Sequence, residues 1–154
     1  PGLNSLLEIK KGRKSVWYFP AGKVSGKPYT LHEIDRGIMR RKFKDPRVHF
    51  ALSKGAISSP DLRMEAYQGK LLNAQFADQI SSFFENGKKG KRFGEENEKR
   101  TVYLSVVFSW FGRDFDNKPR EWMLKNKLLT VDESRYRLQY MRYNFTLNAQ
   151  PERN

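Results

Sequence analysis

Two stretches of the chain carry apolar side chains at helical spacing. Residues 30–41 begin with Thr30 and have Glu33 three positions later, which is the pattern of a capping box. Residues 64–85 have a second helical pattern, which Asn86-Gly87 would end. The apolar positions that we expect to form the buried faces are Leu31, Ile34, Ile38 and Met39 in the first helix, and Leu72, Phe76, Ile80, Phe83 and Phe84 in the second.

Other stretches are rich in β-branched and aromatic residues or alternate in polarity, which is typical of strands. The sequence predicts strands over 15–22, 47–52, 101–110 and 136–148, a polar loop over 86–100, and a helix that opens at Pro119. Together these elements predict an α+β fold, a single mixed domain over residues 1–154 with several helices packed on a small sheet.

The composition adds a strong positive charge to this picture. The 154 residues contain 30 Lys and Arg against 17 Asp and Glu, which gives a formal net charge of +13. Such an excess favours an anionic partner, such as nucleic acid, an acidic polymer or an acidic protein. The chain has no cysteine, which excludes disulfides, thiolate nucleophiles and cysteine zinc sites. No apolar run approaches the roughly 20 residues that span a bilayer, so the sequence predicts no transmembrane segment.

The segment 45–63, DPRVHFALSKGAISSPDLR, holds one of the two histidines of the chain. An imidazole can act as a general base near neutral pH when a partner orients it within reach of a substrate. If 47–52 is a strand, His49 shares a face with Arg47 and Ala51. A structural histidine, hydrogen-bonded to a neighbour, is the alternative interpretation.

A hydrolase at this segment is one hypothesis. The residues that it would use are His49, Asp45, Arg47 and Ser59, with Arg63 nearby. However, GAISSP does not match the G-x-S-x-G turn of a serine nucleophile, so the two serines are interpreted as turn residues. The structural alternative is a buried polar network of Asp45, Arg47 and Arg63.

The remaining chemistries match less well. SKGAISS lacks the second glycine and the Gly-Lys-Ser/Thr ending of a P-loop, so it predicts at most a generic anion site with Lys54. His32 and His49 have no third imidazole or thiol to complete a metal site. Asp114 and Asp116 do not complete a calcium-loop pattern, and we interpret them as a surface turn in which Arg113 pairs with Asp114. We predict no metal site and no cofactor.

Basic residues cluster around the first helix and in the polar loop. The residues that we predict to bind an anion are Arg40, Arg41, Lys42, Lys44, Lys54 and Arg63. The second cluster consists of Lys88, Lys89, Lys91 and Arg92. The C-terminal YRLQYMRYNF alternates basic and aromatic residues, a combination that suits single-stranded nucleic acid, but we favour a strand packed in the core.

Four motifs occur in an order that resembles the domain of unknown function 547 family: YTLHEIDRGIMRR, DPRVHFALSKGAISSPDLR, VVFSWFGRDF and YNFTLN. The resemblance covers about residues 29–148, and it implies a family without an assigned activity. It also implies departures, because a helix histidine of the family aligns with Arg36, and frequent cysteines align with Lys54 and Ser59. Any cysteine-dependent activity would therefore be absent here. A region that relatives carry upstream is not found before residue 29, so we expect either a fragment or an N-terminal part that was lost or diverged.

These observations favour a basic binding or interaction module with no assignable catalytic activity. A hydrolase-like enzyme centred on His49 is one alternative, and binding of nucleic acid or another polyanion through the basic clusters is another. The sequence fixes neither the oligomeric state nor the compartment. Because the chain begins at Pro1, a signal peptide removed upstream is compatible with it.

Overall fold

The computed structural model describes residues 2–148. Two small antiparallel hairpins come first, β1 (Lys10–Lys11) with β2 (Lys14–Ser15), and β3 (Pro20–Val24) with β4 (Lys27–Thr30). The predicted strand 15–22 is therefore only partly correct, since a 3-10 turn at Val16–Tyr18 replaces its first half.

The helix predicted after Thr30 is confirmed, and most of it is the π-helix Glu33–Phe43. Its capping box is present, because the Glu33 N–H donates to Thr30 Oγ1 at 3.0 Å and the Thr30 N–H donates to Glu33 Oε2 at 2.8 Å. The predicted apolar face is half-buried and lies outside the core. The helix ends at Lys44, whose φ of 51° places it in the left-handed region.

The predicted strand 47–52 is wrong, because the structure forms the short helix α1 (Val48–Ala51) there. Asp45 starts this helix, since its Oδ1 accepts a hydrogen bond from the Arg47 N–H at 3.0 Å. Proline at 46 suits a first helical turn, where its missing N–H has no partner to lose. The side chains therefore do not alternate between two faces, and His49 and Phe50 are both buried.

The long helix α2 (Leu72–Glu85) begins later than the predicted residue 64 and ends at Asn86 as expected. Of the predicted positions, Phe76, Ile80, Phe83 and Phe84 are buried, and Leu72 is half-buried. After α2 the chain passes very close to it at Gly90, where a Cβ atom would lie 2.4 Å from the carbonyl oxygen of Phe83.

The main sheet has three strands in the order β5 (Lys91–Glu96), β6 (Lys99–Leu104) and β7 (Arg137–Tyr140). β5 and β6 are antiparallel, whereas β6 and β7 are parallel. The predicted loop 86–100 is therefore wrong where β5 and the start of β6 form. A turn at Asn97-Glu98, with φ of 50° and 60°, joins these two strands into a hairpin.

The predicted strand 101–110 ends at Leu104, and helix α3 (Val107–Trp110) follows it. A 3-10 turn at Gly112–Phe115 leads to helix α4 (Pro119–Lys125), which has its proline at the predicted start. The predicted strand 136–148 is regular only over β7. The C-terminal segment, which is residues 141–148, instead forms single bridges from Thr146 to Ser5 and from Leu147 to Ala56.

The core lies between α2, the main sheet, α3 and α4, with Phe50 of α1 at its centre. Phe50 is fully buried, and its ring lies 5.0 to 5.9 Å from five other aromatic rings. Those rings belong to Phe83, Phe84, Phe108, Phe115 and Trp122. The predicted mixed α+β fold is confirmed. Within residues 2–148, no helix has the length and apolar character needed to cross a membrane.

Candidate ligand-binding cavity

A cavity of about 220 Å³ opens between the 3-10 turn Val16–Tyr18, the π-helix, α3 and the C-terminal segment. Its walls include six aromatic side chains, Trp17, Tyr18, Trp110, Phe111, Tyr143 and Phe145. Its polar lining consists of His32, Asp35, Arg36 and Lys54. Apolar walls with a few converging polar groups are the usual composition of a ligand site. We refer to it as the aromatic cavity.

The walls are brought together from parts of the chain that are distant in sequence. Trp110 ends α3 and Phe111 follows it directly. Tyr143 and Phe145 alternate along the C-terminal segment, which backbone hydrogen bonds of 2.9 and 3.3 Å join to loop 56–58. The ring centroid of Trp110 lies 5.0 Å from that of Tyr143 and 6.2 Å from that of Phe145, so these rings pack against one another.

Lys54 is a basic side chain of the aromatic cavity that lies close to two of its rings. It follows α1 in a turn that continues through Gly55, whose φ of 68° is favourable for glycine. Its Nζ lies 3.4 Å from Asp35 Oδ2, and 5.8 and 5.1 Å from the ring centroids of Trp17 and Phe111. The distance to Asp35 exceeds the roughly 2.7 to 2.9 Å of a tight charge-assisted bond. The ammonium group therefore keeps donors for a ligand.

Behind Lys54 the cavity adjoins a small recess of about 10 Å³, which His49 lines. The His49 side chain is 3% exposed, and its ring stacks on that of Phe111 with centroids 4.2 Å apart. The recess is comparable in volume to a single water molecule. His49 is therefore nearly sealed, and only a very small molecule could meet its ring there.

Asp114 holds the imidazole in place. Its Oδ2 lies 2.7 Å from His49 Nε2, and Arg40 donates to both carboxylate oxygens, from Nε at 2.6 Å and from Nη2 at 2.9 Å. Hydrogen bonding from Arg40 holds the pKa of Asp114 below its ordinary value. Burial lowers the pKa of His49 against the opposing effect of Asp114. The lowered pKa favours the neutral imidazole, and because the carboxylate can only accept, Nε2 carries the hydrogen. The predicted pairing of Asp114 with Arg113 is wrong.

The other predicted catalytic residues have local partners. Asp45 pairs with Arg47, whose Nη2 lies 2.7 Å from its Oδ2, and Arg47 also donates to Asn73. Ser59 is almost fully buried, and its Oγ donates to the Ala56 carbonyl at 2.7 Å and accepts from the Ala56 N–H at 3.0 Å. Among residues 2–148, no side-chain hydrogen bond joins any of these groups to His49.

The predicted anion-binding residues lie in separate places. Arg40, Arg41 and Lys44 line polar grooves beside the π-helix, while Lys42 is exposed near its end. Lys54 lies in the aromatic cavity.

Arg63 lies apart from that group and is used internally. Its guanidinium contacts Asp78 at 2.6 Å and Glu65 at 2.9 Å, and these hydrogen bonds raise its pKa above the ordinary value. The polar network that was predicted from Asp45, Arg47 and Arg63 is therefore divided between two ion-pair clusters.

The second basic cluster contributes partly to the fold. Lys89 is buried and forms an ion pair with Asp61, and the guanidinium of Arg92 lies 3.9 Å from the ring centroid of Tyr103. Lys88 is exposed. These contacts fix two of the basic side chains against the protein surface.

One groove continues directly from the mouth of the aromatic cavity. Its lining holds four arginines against two carboxylates, and it shares His32 and Arg36 with the cavity. The arginines are Arg36, Arg40, Arg41 and Arg113, and the carboxylates are Glu33 and Asp114. We refer to it as the arginine groove. Arg40 is neutralised by Asp114, whereas Arg36, Arg41 and Arg113 have no ion pair among residues 2–148. The cavity and the groove thus form one surface, aromatic at one end and positively charged at the other.

Sequence reasoning missed the partners that define this surface. Asp114 was interpreted as part of a surface turn, although it lies beside His49 in the fold. Trp17 and Trp110 were assigned to strands, which gives no indication that their rings would meet one cavity. The signal that was available is the alternation of Tyr143 and Phe145, which places both on one face.

The side chains here suit an organic ligand better than a metal ion. Lys54 and Arg36 offer donors, and Asp35 offers acceptors, beside flat aromatic walls. Within residues 2–148 there is no group of three or more His, Asp and Glu side chains that could hold a metal ion.

The fold and this surface describe a mixed α+β domain with an aromatic cavity, and comparison with known families gives the family. The family model described as "Protein of unknown function, DUF547" matches residues 5–84, just over half of the chain. The chain belongs to this family, as its motifs predict. The match begins and ends earlier than the predicted range 29–148. No curated protein and no solved structure matches the chain.

Proposed function

We propose that this chain is a non-catalytic binding domain whose ligand carries a flat apolar group and an anionic group. The aromatic cavity would hold the flat group, and Lys54 would contact the anion. The observation that carries the proposal is the position of Lys54 Nζ among aromatic rings, with a pairing to Asp35 of 3.4 Å that leaves donors available. Arg36 at the mouth adds a second positive charge.

Among residues 2–148, the predicted catalytic residues do not assemble an activated nucleophile, which supports binding over catalysis. Ser59 is the serine that the hydrolase hypothesis would use, and both of its side-chain hydrogen bonds go to the backbone of Ala56, as its interpretation as a turn residue predicts. A serine that donates to a carbonyl in a buried turn is not activated, because activation requires a base at hydrogen-bonding distance. In this interpretation, the cavity can hold a ligand but has no activated nucleophile to react with it.

A matched pair of fluorescent probes tests the proposal. 1-Anilinonaphthalene-8-sulfonate carries a flat ring system and a sulfonate, whereas N-phenyl-1-naphthylamine carries the same rings without the charge. We expect the sulfonate to bind saturably with one molecule per chain. Lys54→Met should weaken it about 10-fold to 100-fold, which is the effect of losing a charge-assisted hydrogen bond. The binding of the neutral probe should change little.

Lys125→Met is the control, because it removes the same charge from an exposed position on α4. We expect it to leave both affinities unchanged. Non-saturable binding of the sulfonate, or equal losses in the Lys54 and Lys125 variants, would contradict the proposal. Near-UV circular dichroism of each variant establishes that the tertiary packing is intact, since this probe also binds loosened proteins that keep their far-UV signal.

One observation favours a second candidate, a hydrolase. The distance of 2.7 Å between Asp114 Oδ2 and His49 Nε2 is that of an oriented general base. Nδ1 of the neutral imidazole would then take a proton from a water molecule that attacks an ester or amide. The stacked, 3% exposed ring argues against it, because substrate must reach that nitrogen.

Hydrolysis of p-nitrophenyl acetate separates the two candidates. The binding proposal predicts that the wild-type rate equals that of His49→Gln, which keeps an N–H for Asp114 and removes the base. A wild-type rate that falls at least 100-fold in His49→Gln, with an unchanged fold, would instead support the hydrolase.

A further inference from the structure

We propose that the ligand is single-stranded nucleic acid, with a base in the aromatic cavity and its phosphates along the arginine groove. This inference rests on the proposed function, because the base would occupy the same cavity as the flat group described above. It adds the arginine groove to the binding surface and names the class of ligand.

The first argument is that the two halves of the surface meet at Arg36. This residue lines both the aromatic cavity and the arginine groove, so a group in the cavity and a charge in the groove are within one ligand's reach. A nucleotide has this arrangement, since a flat base is joined through its sugar to a phosphate. The ring of Trp110, 47% exposed, offers a face on which a base can stack.

The second argument is the availability of the positive charge. Asp114 satisfies Arg40, but Arg36, Arg41 and Arg113 have no ion pair among residues 2–148. Unpaired guanidinium groups beside one another are favourable for phosphate, which they contact in a planar, two-pronged geometry. The formal net charge of +13 would also attract a polyanion over a longer range.

The third argument distinguishes a single strand from other polyanions. The aromatic rings line a concave cavity of about 220 Å³, which an unpaired base can enter and a base within a duplex cannot. Heparin and acidic peptides without aromatic residues supply charge but no flat group. The cavity therefore gives a reason to prefer unpaired bases that the net charge alone does not give.

Fluorescence anisotropy with a labelled 12-nucleotide strand of thymidines tests the inference, with a duplex of the same length and heparin as competitors. We expect the single strand to bind more tightly than the duplex. Trp110→Ala should weaken binding of the single strand about 5-fold to 100-fold, which is the effect of losing one stacked base. Phe93→Ala is the matched control, because Phe93 is a similarly exposed aromatic residue on β5. It should change the affinity less than twofold.

A triple variant tests the groove by salt dependence. Removing three phosphate contacts with Arg36→Gln, Arg41→Gln and Arg113→Gln should reduce the slope of log affinity against log salt by about 2. The control is a triple variant that removes three exposed charges elsewhere, Lys70→Gln, Lys125→Gln and Lys127→Gln. It should leave the slope nearly unchanged. Melting temperatures establish that all variants are folded.

The outcomes separate this inference from the proposed function. If the strand does not bind while the anilinonaphthalene sulfonate still does, the inference is refuted and the binding proposal stands. If neither binds, both are refuted. Equal binding of strand, duplex and heparin, with no effect of Trp110→Ala, would mean general attraction to polyanions and would also overturn the inference.

Discussion

Asp114 offers a sharp test of how the buried histidine is held. Its carboxylate accepts hydrogen bonds from Arg40 at 2.6 and 2.9 Å and contacts His49 Nε2 at 2.7 Å. Asp114→Asn keeps the shape of the side chain but removes its charge and one of its two acceptor oxygens. In either orientation the new amide NH2 group would meet an N–H donor of Arg40, because the guanidinium donates to both positions and cannot accept.

The size of the effect follows from these contacts. A hydrogen bond to a charged group contributes about 1.5 to 3 kcal/mol. The Asp114 side chain is 26% exposed, so water can replace part of what is lost. We therefore expect the free energy of unfolding to fall by about 2 kcal/mol. In a protein of this size, 1 kcal/mol shifts the melting temperature by about 2 to 4 °C, so Tm should fall by about 4 to 8 °C.

Circular dichroism during heating and urea unfolding measures this loss. Asp116→Asn is the control, because it removes the same charge from an exposed carboxylate two positions later. Its φ of 55° is readily adopted by asparagine, so no backbone strain is added. We expect this control to lie within about 0.5 kcal/mol of the wild type.

A double-mutant cycle with Arg40→Met then measures the coupling between the two side chains. We expect the loss caused by Asp114→Asn to shrink when Arg40 is already absent, because the main partner of the carboxylate has been removed. The reasoning is refuted if Asp114→Asn has the same melting temperature as Asp116→Asn. It is also refuted if Asp114→Asn lowers the free energy of unfolding equally with and without Arg40.

Three further predictions concern pH, packing and the helix start. Burial lowers the pKa of His49, so on acidification the unfolded chain takes up the proton first. The free energy of unfolding should therefore fall below about pH 6.5, and it should fall less steeply in His49→Gln. Urea unfolding across pH measures this. Gly90→Ala would place a Cβ atom 2.4 Å from the Phe83 carbonyl oxygen, so we expect a lower Tm or insoluble protein; a wild-type Tm would contradict this. Thr30→Ala removes the Oγ1 acceptor of the Glu33 N–H and should cost about 1 kcal/mol in urea unfolding, with no loss arguing against the cap.

Features encoded within a few residues could be predicted from the sequence. The capping box of Thr30 and Glu33, the start of α4 at Pro119 and the buried stripe of α2 depend on local spacing, and all three are confirmed. The helix α1 was missed although its signal was present. Asp45 followed by proline is a helix start as well as a turn, and the apolar run after it was interpreted as a strand.

The candidate site depends on contacts that no local pattern records. His49 was identified as a candidate, but its partner Asp114 lies 65 positions away. The rings of Trp17 and Trp110 meet one cavity only because the fold brings their separate segments together. Such convergence is a property of tertiary packing, and propensity and spacing carry no information about it.

The aromatic cavity draws its walls from both sides of the boundary at residue 84, where the family match ends. Trp17, Asp35 and Lys54 lie before that boundary, whereas Trp110 and Tyr143 lie after it. A family member that keeps the first portion but varies the second would surround the same ammonium group with walls of a different shape, and those walls belong to two of the four family motifs, VVFSWFGRDF and YNFTLN.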